Sequence, residues 1–255
     1  MRRSALVRRP GPRLADGLLT HLDRVPVDLD LARRQWDGYA ATLQTQGWDL
    51  YEVEPADDCP DAVFVEDTAV VYGDLAVITC PGADVRRPET AGTELALRGR
   101  GYRVVRIEAP GTLDGGDVLK HDREVWVGLG GRTNPAGLAQ LTAQLEPLGA
   151  RVSGVPLTRV LHLKSAVTAL PDGTVVGHRP LVDDPGVWGD RFLAVPEEAG
   201  AHVVLLDGET VLMSSSAPLT RALLTERGLH VLAVDLTEFE KREGCVTCLS
   251  IRLRG

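Results

Sequence analysis

Cysteine is scarce in this sequence, with four residues in 255, at positions 59, 80, 245 and 248. That is too sparse for a disulfide framework in a chain of this length, so reduced thiols and a cytosolic setting are expected. No apolar run approaches the roughly 20 residues that a bilayer-spanning helix needs. The opening MRRSALVRRP is basic, but no adequate hydrophobic stretch or cleavage site follows, so it does not read as a secretory signal. Positive charge is in deficit as well: 28 Lys and Arg stand against 36 Asp and Glu, a formal net charge of -8. That balance argues against nucleic acid or an anionic membrane as the main partner. It suits a small cationic substrate, although a modest acidic excess is also the commonest state of cytosolic proteins.

What is present is ordinary in bulk and patterned in detail. Hydrophobic residues make up 44% and charged residues 25%, as in a soluble globular protein long enough to bury a substantial core. TAVVYGDLAVIT (68–79) reads as two short β-branched strands joined by a Gly-Asp turn. DVLKHDREVWVG (117–128), AVTALPDGTVVG (166–177) and HVVLLDGETVLMS (202–214) repeat that form, with His-Asp-Arg, Pro-Asp-Gly and Asp-Gly at the turns. Helix-compatible stretches follow most of the hairpins, at 89–101, 134–149 and 216–228, each leading to a single strand. In the middle one, Leu138, Leu141 and Leu145 have helical spacing and Gly149 is a plausible stop. The module is therefore strand–turn–strand–helix–strand, seen four times. Ser4 to Arg8 and Cys248 to Arg252 read as strands completing a fifth unit across the termini. Such modules cannot bury their faces alone. Packed around a common axis and closed by both chain ends, they predict an α/β fold in one domain, 1–255, with a site at the centre.

Four segments carry candidate chemistry, each just ahead of a β element in a different module. They are CPDAVFVEDTAVV (59–71) with Asp61, Glu66 and Asp67; LDGGDVL (113–119) with Asp114 and Asp117; LHLKS (161–165) with His162; and EGCVTCLSIRL (243–253) with Cys248. A guanidinium is a planar cation whose donors suit paired carboxylates. Its carbon is a poor electrophile, so a thiolate attacks it better than water does. The departing amine needs a proton, which a histidine can give. Each piece also has a plainer reading. Cys248 could be a small core hydrophobe, Cys245-x-x-Cys248 a redox pair or half a zinc site, and His162 a satisfied core histidine. LDGGD could be only a tight turn and Glu66-Asp67 only a solvated strand start, although a buried carboxylate pair without a cation is costly.

Together, FVEDTAVV, TLDGGDVL, VGLGGRTN, LHLKS and GCVTCLS resemble the motifs of the dimethylarginine dimethylaminohydrolases, in that family's order and across nearly the whole chain. That family belongs to the guanidino-group modifying (pentein) superfamily of five-bladed α/β-propellers. The resemblance implies hydrolysis of dimethyl- and monomethylarginine to citrulline through a covalent S-alkylthiouronium, with no metal or organic cofactor. It implies Cys248 as nucleophile, His162 as general acid and base, and Asp114 as the carboxylate pairing with the histidine or the guanidine. Glu66 and Asp67 match the guanidinium-binding pair, with Asp61 beside them and Phe64 on the same motif. Arg86 and Arg132 match the groups holding the substrate α-carboxylate, and Leu19 the lid residue whose backbone meets the α-amino end. Arg242 stands where the family more often has an aliphatic residue contacting substrate through its carbonyl, and Asp114 where some relatives carry Glu. The expected partner is a small methylated arginine, with no nucleic acid and no membrane, and the chain acting as monomer or homodimer. Arginine deiminases and amidinotransferases would use the same cysteine but are usually longer. A non-catalytic propeller would have no use for the cysteine, histidine and carboxylates together.

Overall fold

The computed structural model describes residues 3–254. Strand β1 (Arg3–Val7) leads through helix α1 (Leu29–Thr45) to β2 (Trp48–Glu52), which lies parallel to β1. Four hairpin units follow. They are β3 (Ala69–Tyr72) and β4 (Leu75–Ile78) with β5 (Arg103–Arg106); β6 (Val118–His121) and β7 (Glu124–Leu129) with β8 (Arg151–Pro156); β9 (Val167–Ala169) and β10 (Val175–Gly177) with β11 (Phe192–Ala194); and β12 (Val203–Leu205) and β13 (Thr210–Ser214) with β14 (His230–Val234). Strand β15 (Ile251–Arg254) pairs antiparallel with β1 and completes the first sheet. In all five sheets the middle strand is antiparallel to one neighbour and parallel to the other. The antiparallel pair needs only a tight turn, whereas the parallel partner demands a crossover. At the turn between β3 and β4, Gly73 sits at φ 58, and between β6 and β7 Asp122 at φ 50. Glycine adopts that left-handed region freely, and Asp is among the few side chains that tolerate it.

Helices α2 (Thr90–Gly99), α3 (Pro135–Leu145) and α5 (Pro218–Glu226) make three of the crossovers, and α4 (Leu163–Ala166) and α6 (Thr237–Glu240) are single turns. Asn134 caps α3 by accepting from the Gly137 amide, with Pro135 at the first helical position, where its missing N–H costs nothing. The unit of β9, β10 and β11 has no crossover helix; 3-10 turns between 179 and 191 carry Trp188 onto Trp126 and Phe192 instead. The unit that joins the two chain ends, β15, β1 and β2, is richer than expected. Asp28 caps α1, which buries Ala32, Trp36, Tyr39, Ala40 and Leu43 along one stripe. Among the described residues no helix is long and apolar enough to cross a membrane.

Alternation along the strands distributes the core. Val70 and Val77 pack with Val118 and Val127 of the next sheet, while Val71, Ala76 and Ile78 pack with Leu6, Ile251 and Leu253 of the previous one. Leu119 and Trp126 meet Val167 and Val175; Val176 meets Val203, Val211 and Met213. Val204 and Leu212 then meet Ala5, Val7 and the buried stripe of α1. Successive side chains point to opposite faces, so each sheet is buried on both sides, against the sheet before and the sheet after. One expectation needs correcting here. Cys248 is not in a strand: it lies in the turn before β15, where its amide donates to the Cys245 carbonyl at 3.1 Å.

Candidate active site

The LDGGD segment is a short turn pressed against two others. A methyl group on Gly115 would lie 2.0 Å from the Glu66 carbonyl oxygen, and one on Gly116 2.6 Å from Asp67 Oδ1 and 2.7 Å from His162 Nδ1. Only glycine permits this approach. It lets the Gly116 amide donate to Asp67 Oδ1 at 2.8 Å. Asp114 Oδ2 is hydrogen-bonded to His162 Nε2 at 3.0 Å, and its Oδ1 accepts from the Gly82 amide at 2.9 Å. Asp117 accepts from the Leu163 amide at 3.0 Å and the Thr133 hydroxyl at 2.6 Å, while Thr133 accepts from the Asp114 amide at 3.1 Å. The segments that carry Asp114, Arg132 and His162 are thereby tied together. Thr133 was not singled out in the sequence; nothing but its place beside Arg132 in GGRTN marks it.

Asp61, Phe64, Asp67, Arg86, Arg132, His162, Arg242 and Cys248 line one cavity of about 20 Å³, with Leu18, Leu161 and Glu243. Three expected members do not line it: Leu19, Glu66, and Asp114, which is buried against His162 Nε2. Leu18 lines the cavity in place of Leu19, its amide donating to Asp61 Oδ2 at 3.0 Å. Glu66 turns the other way, into a second cavity of about 280 Å³, where Oε1 meets Lys164 Nζ at 2.6 Å and Arg252 Nη2 at 2.9 Å. The carboxylates on the cavity wall with Cys248 are therefore Asp67 and Asp61; Asp114 stands against His162, and the Glu66 charge still reaches the thiol from outside this cavity.

Arg86 is paired with two buried carboxylates. Its Nη1 donates to Asp67 Oδ2 at 2.7 Å, Nε to both oxygens of Glu89, and Nη2 to Glu89 and the carbonyls of Asp61 and Phe64. It braces Asp67, and Asp67 and Glu89 between them take up its charge. Arg132 differs: Nη1 is buried with no hydrogen-bond partner among the described residues and lies 3.7 Å from Asp114.

Burial opposes the His162 imidazolium, but Asp67, the hydrogen bond to Asp114 and Asp117 outweigh it and raise its pKa to about 9. Burial would likewise raise Asp67, yet His162 and Arg86 hold its carboxyl well below the usual range. Burial pushes Asp117 up to about 6. The Cys248 thiol is pushed well up, first by its hydrogen bond to Cys245, then by burial and the Glu66 and Asp67 charges. The partner thiol of Cys245 is lowered by the same hydrogen bond. Asp67, Asp114 and His162 have ligand atoms within 4.8 Å of one another, a grouping of metal-ligand type. Arg86 already lies against it.

His162 titrates at about 9 folded against 6.5 for the free side chain. The stability it contributes is complete below pH 6.5 and is lost as pH rises through the folded value. Thermal melts from pH 6 to 10 are expected to fall more steeply for the wild type than for His162→Asn, which carries no such charge. Parallel curves would contradict this.

A loop covers the cavity. The Glu243 carboxylate, on a residue at φ 56, accepts from the amides of Thr20 at 2.9 Å, His21, and Leu22 at 3.1 Å. Arg242 is buried and donates to the carbonyls of Ala15 at 3.2 Å and Val25 at 2.9 Å. The charged side chain at this position thus holds the loop and leaves the cavity wall to the rest of the residue.

No protein-family model matches the chain. Among curated proteins, it is 61% identical over 252 residues to the N(G),N(G)-dimethylarginine dimethylaminohydrolase of Streptomyces coelicolor, covering 99% of this chain and 97% of that one. It is 36% identical over 251 residues to the protein of the same name from Pseudomonas aeruginosa, covering 97% and 98%. A solved structure of the Pseudomonas aeruginosa enzyme, a mutant complexed with citrulline, superposes with a TM-score of 0.92 at 34% identity, over 99% of this chain and 100% of that one. The N-terminal domain of a cyanobacterial arginine dihydrolase has the same fold, with a TM-score of 0.88 at 20% identity over 98% and 97%.

Proposed function

The chain belongs to the dimethylarginine dimethylaminohydrolase family, and from that premise we propose that it hydrolyses dimethyl- and monomethylarginine to citrulline, releasing dimethylamine or methylamine. The observation that carries the mechanism is the joint presence of Cys248, His162, Asp67 and Arg132 on one cavity wall. The substrate guanidinium docks against Asp67, while Asp114 holds His162 through Nε2. Cys248 attacks the guanidinium carbon, and His162, already protonated, gives its proton to the departing amine. Water then attacks the S-alkylthiouronium with His162, now neutral, as base. The thiol is released and the ureido group of citrulline formed. Nη1 of Arg132 is free to meet the α-carboxylate, and Arg86 acts through Asp67, which it holds in place.

About 10–15 Å³ of such open space is room for one water, so a cavity of about 20 Å³ holds a molecule of one or two heavy atoms and admits no amino acid as it stands. Substrate access requires residues 15–25 to swing away from Glu243 and Arg242. The alternating core supports five blades around an axis in one domain, 1–255. Further support comes from the second cavity, lined by β3, β6, β9, β12 and β15, one strand from every sheet. The four free cysteines favour a reducing, cytoplasmic compartment.

Product analysis by mass spectrometry tests the reading, with dimethylarginine, monomethylarginine, arginine and agmatine offered in parallel. Citrulline from the two methylated substrates alone is the expected result; citrulline from arginine alone would replace it with a deiminase. Arg132→Ala is expected to raise KM by roughly ten- to a hundredfold, since a charge-assisted contact is worth ~1.5–3 kcal/mol. A fall in kcat with KM unchanged would move Arg132 out of this role.

A further inference from the structure

Cys245 has no part in the hydrolysis, yet it touches the nucleophile. The two Sγ atoms are 3.3 Å apart, and the Cys245 amide points at Cys248 Sγ from 3.4 Å. Cys245 Sγ also meets the Thr247 hydroxyl at 3.2 Å, which fixes it on the inner side of the turn. Both side chains are free thiols and buried. A disulfide has its sulfurs ~2.05 Å apart, so closing the pair asks for a movement of little more than an ångström within one turn. Cys248 also lines the cavity, so an oxidant small enough to enter reaches this pair directly. Hydrogen peroxide, with two heavy atoms, is within the size of this cavity, whereas a tripeptide disulfide such as oxidised glutathione is not.

We propose that Cys245 is a resolving thiol, and that hydrogen peroxide converts Cys245 and Cys248 into a reversible intrachain disulfide that switches the protein off. In the first step one thiolate attacks a peroxide oxygen, the O–O bond breaks, and hydroxide leaves to give a sulfenic acid. In the second step the neighbouring thiol attacks the sulfenic sulfur; the S–S bond forms and water departs. The balance is two thiols and one peroxide to one disulfide and two waters, with two electrons passing from sulfur to oxygen. A sulfenic acid without a thiol in reach is oxidised on to the sulfinic acid, which dithiols do not reduce. A partner sulfur 3.3 Å away intercepts it first. The disulfide itself depends only on this geometry; the loss of activity rests on the reading of Cys248 as nucleophile.

The test treats the purified protein with hydrogen peroxide or, separately, oxidised glutathione, then counts thiols by alkylation in denaturant and mass spectrometry. With peroxide, the expected outcome is loss of two of the four thiols, a peptide linking Cys245 to Cys248, and turnover reduced at least about tenfold. Dithiothreitol restores thiols and turnover together. Oxidised glutathione should do little over the same time. In Cys245→Ser, and in Cys245→Ala should the serine variant fail to fold, peroxide should leave oxygen adducts on Cys248 that dithiothreitol does not remove. Oxygen adducts without a cross-link in the wild type would overturn the proposal, and so would equal recovery of the variants. Because thiol count and cross-link are read without substrate, they stand even if methylarginine is not turned over.

Discussion

Cys248→Ser is expected to reduce citrulline formation from dimethylarginine by about a thousandfold or more, while Cys245→Ser stays within several-fold of the wild type. A serine hydroxyl is barely ionised near neutral pH and is a far weaker nucleophile than a thiolate. Its surroundings make matters worse for it: position 248 is buried beside Asp67 and Glu66, whose charges disfavour any further anion. Serine is close to cysteine in size, and the Cys248 amide still bonds the Cys245 carbonyl, so the turn should hold. The check is a stopped citrulline assay on both variants beside the wild type, with melting temperatures to show that each is folded. Turnover surviving in the Cys248 variant would remove the nucleophile assignment, and loss in both would tie the chemistry to the pair.

Much of this architecture is written in local patterns. Each hairpin between 68 and 214 carries β-branched residues on both sides of a turn residue, and the strands form there because both faces of each sheet are buried. Helix α1 was equally available in the residues, with Asp28 as cap and an apolar stripe from Ala32 to Leu43, but it interrupts the hairpin repeat. Orientation within the site was not legible. Glu66 and Asp67 are neighbours, yet Asp67 faces Cys248 and Glu66 faces Lys164 and Arg252, far off along the chain. Adjacent residues of a tight turn point apart, and which one faces the cavity depends on cations that only the fold assembles. Arg86 reads as a free cation until Glu89, one turn on, and Asp67 are seen to occupy it. In the covering loop no periodicity distinguishes Leu18 from Leu19; a single amide hydrogen bond to Asp61 decides between them.

The second large effect concerns when Cys248 becomes a thiolate. In the empty site the thiol is hydrogen-bonded to Cys245, is buried, and lies within the field of the Glu66 and Asp67 carboxylates, all of which keep it protonated. His162 does not act as a resting counter-ion, because its positive charge is taken up by Asp114 at 3.0 Å and by Asp67. A guanidinium arriving against Asp67 reverses the balance: it neutralises a repelling carboxylate and puts a cation beside the sulfur. The proton should therefore leave mainly once a cation is bound. At pH 7 an amidine-bearing alkylator is expected to outpace its neutral amide analogue at Cys248 by about a hundredfold, after correction for their rates with a free thiol. The neutral reagent's rate should keep rising into alkaline pH, past the range of an ordinary thiol. Cys245→Ser removes the leading cause of the raised value, so the neutral reagent should speed up there and the gap between the two reagents narrow. Equal corrected rates in the wild type, or a Cys248 alkylation profile with its midpoint well below neutrality, would show a thiolate already formed at rest, paired with His162.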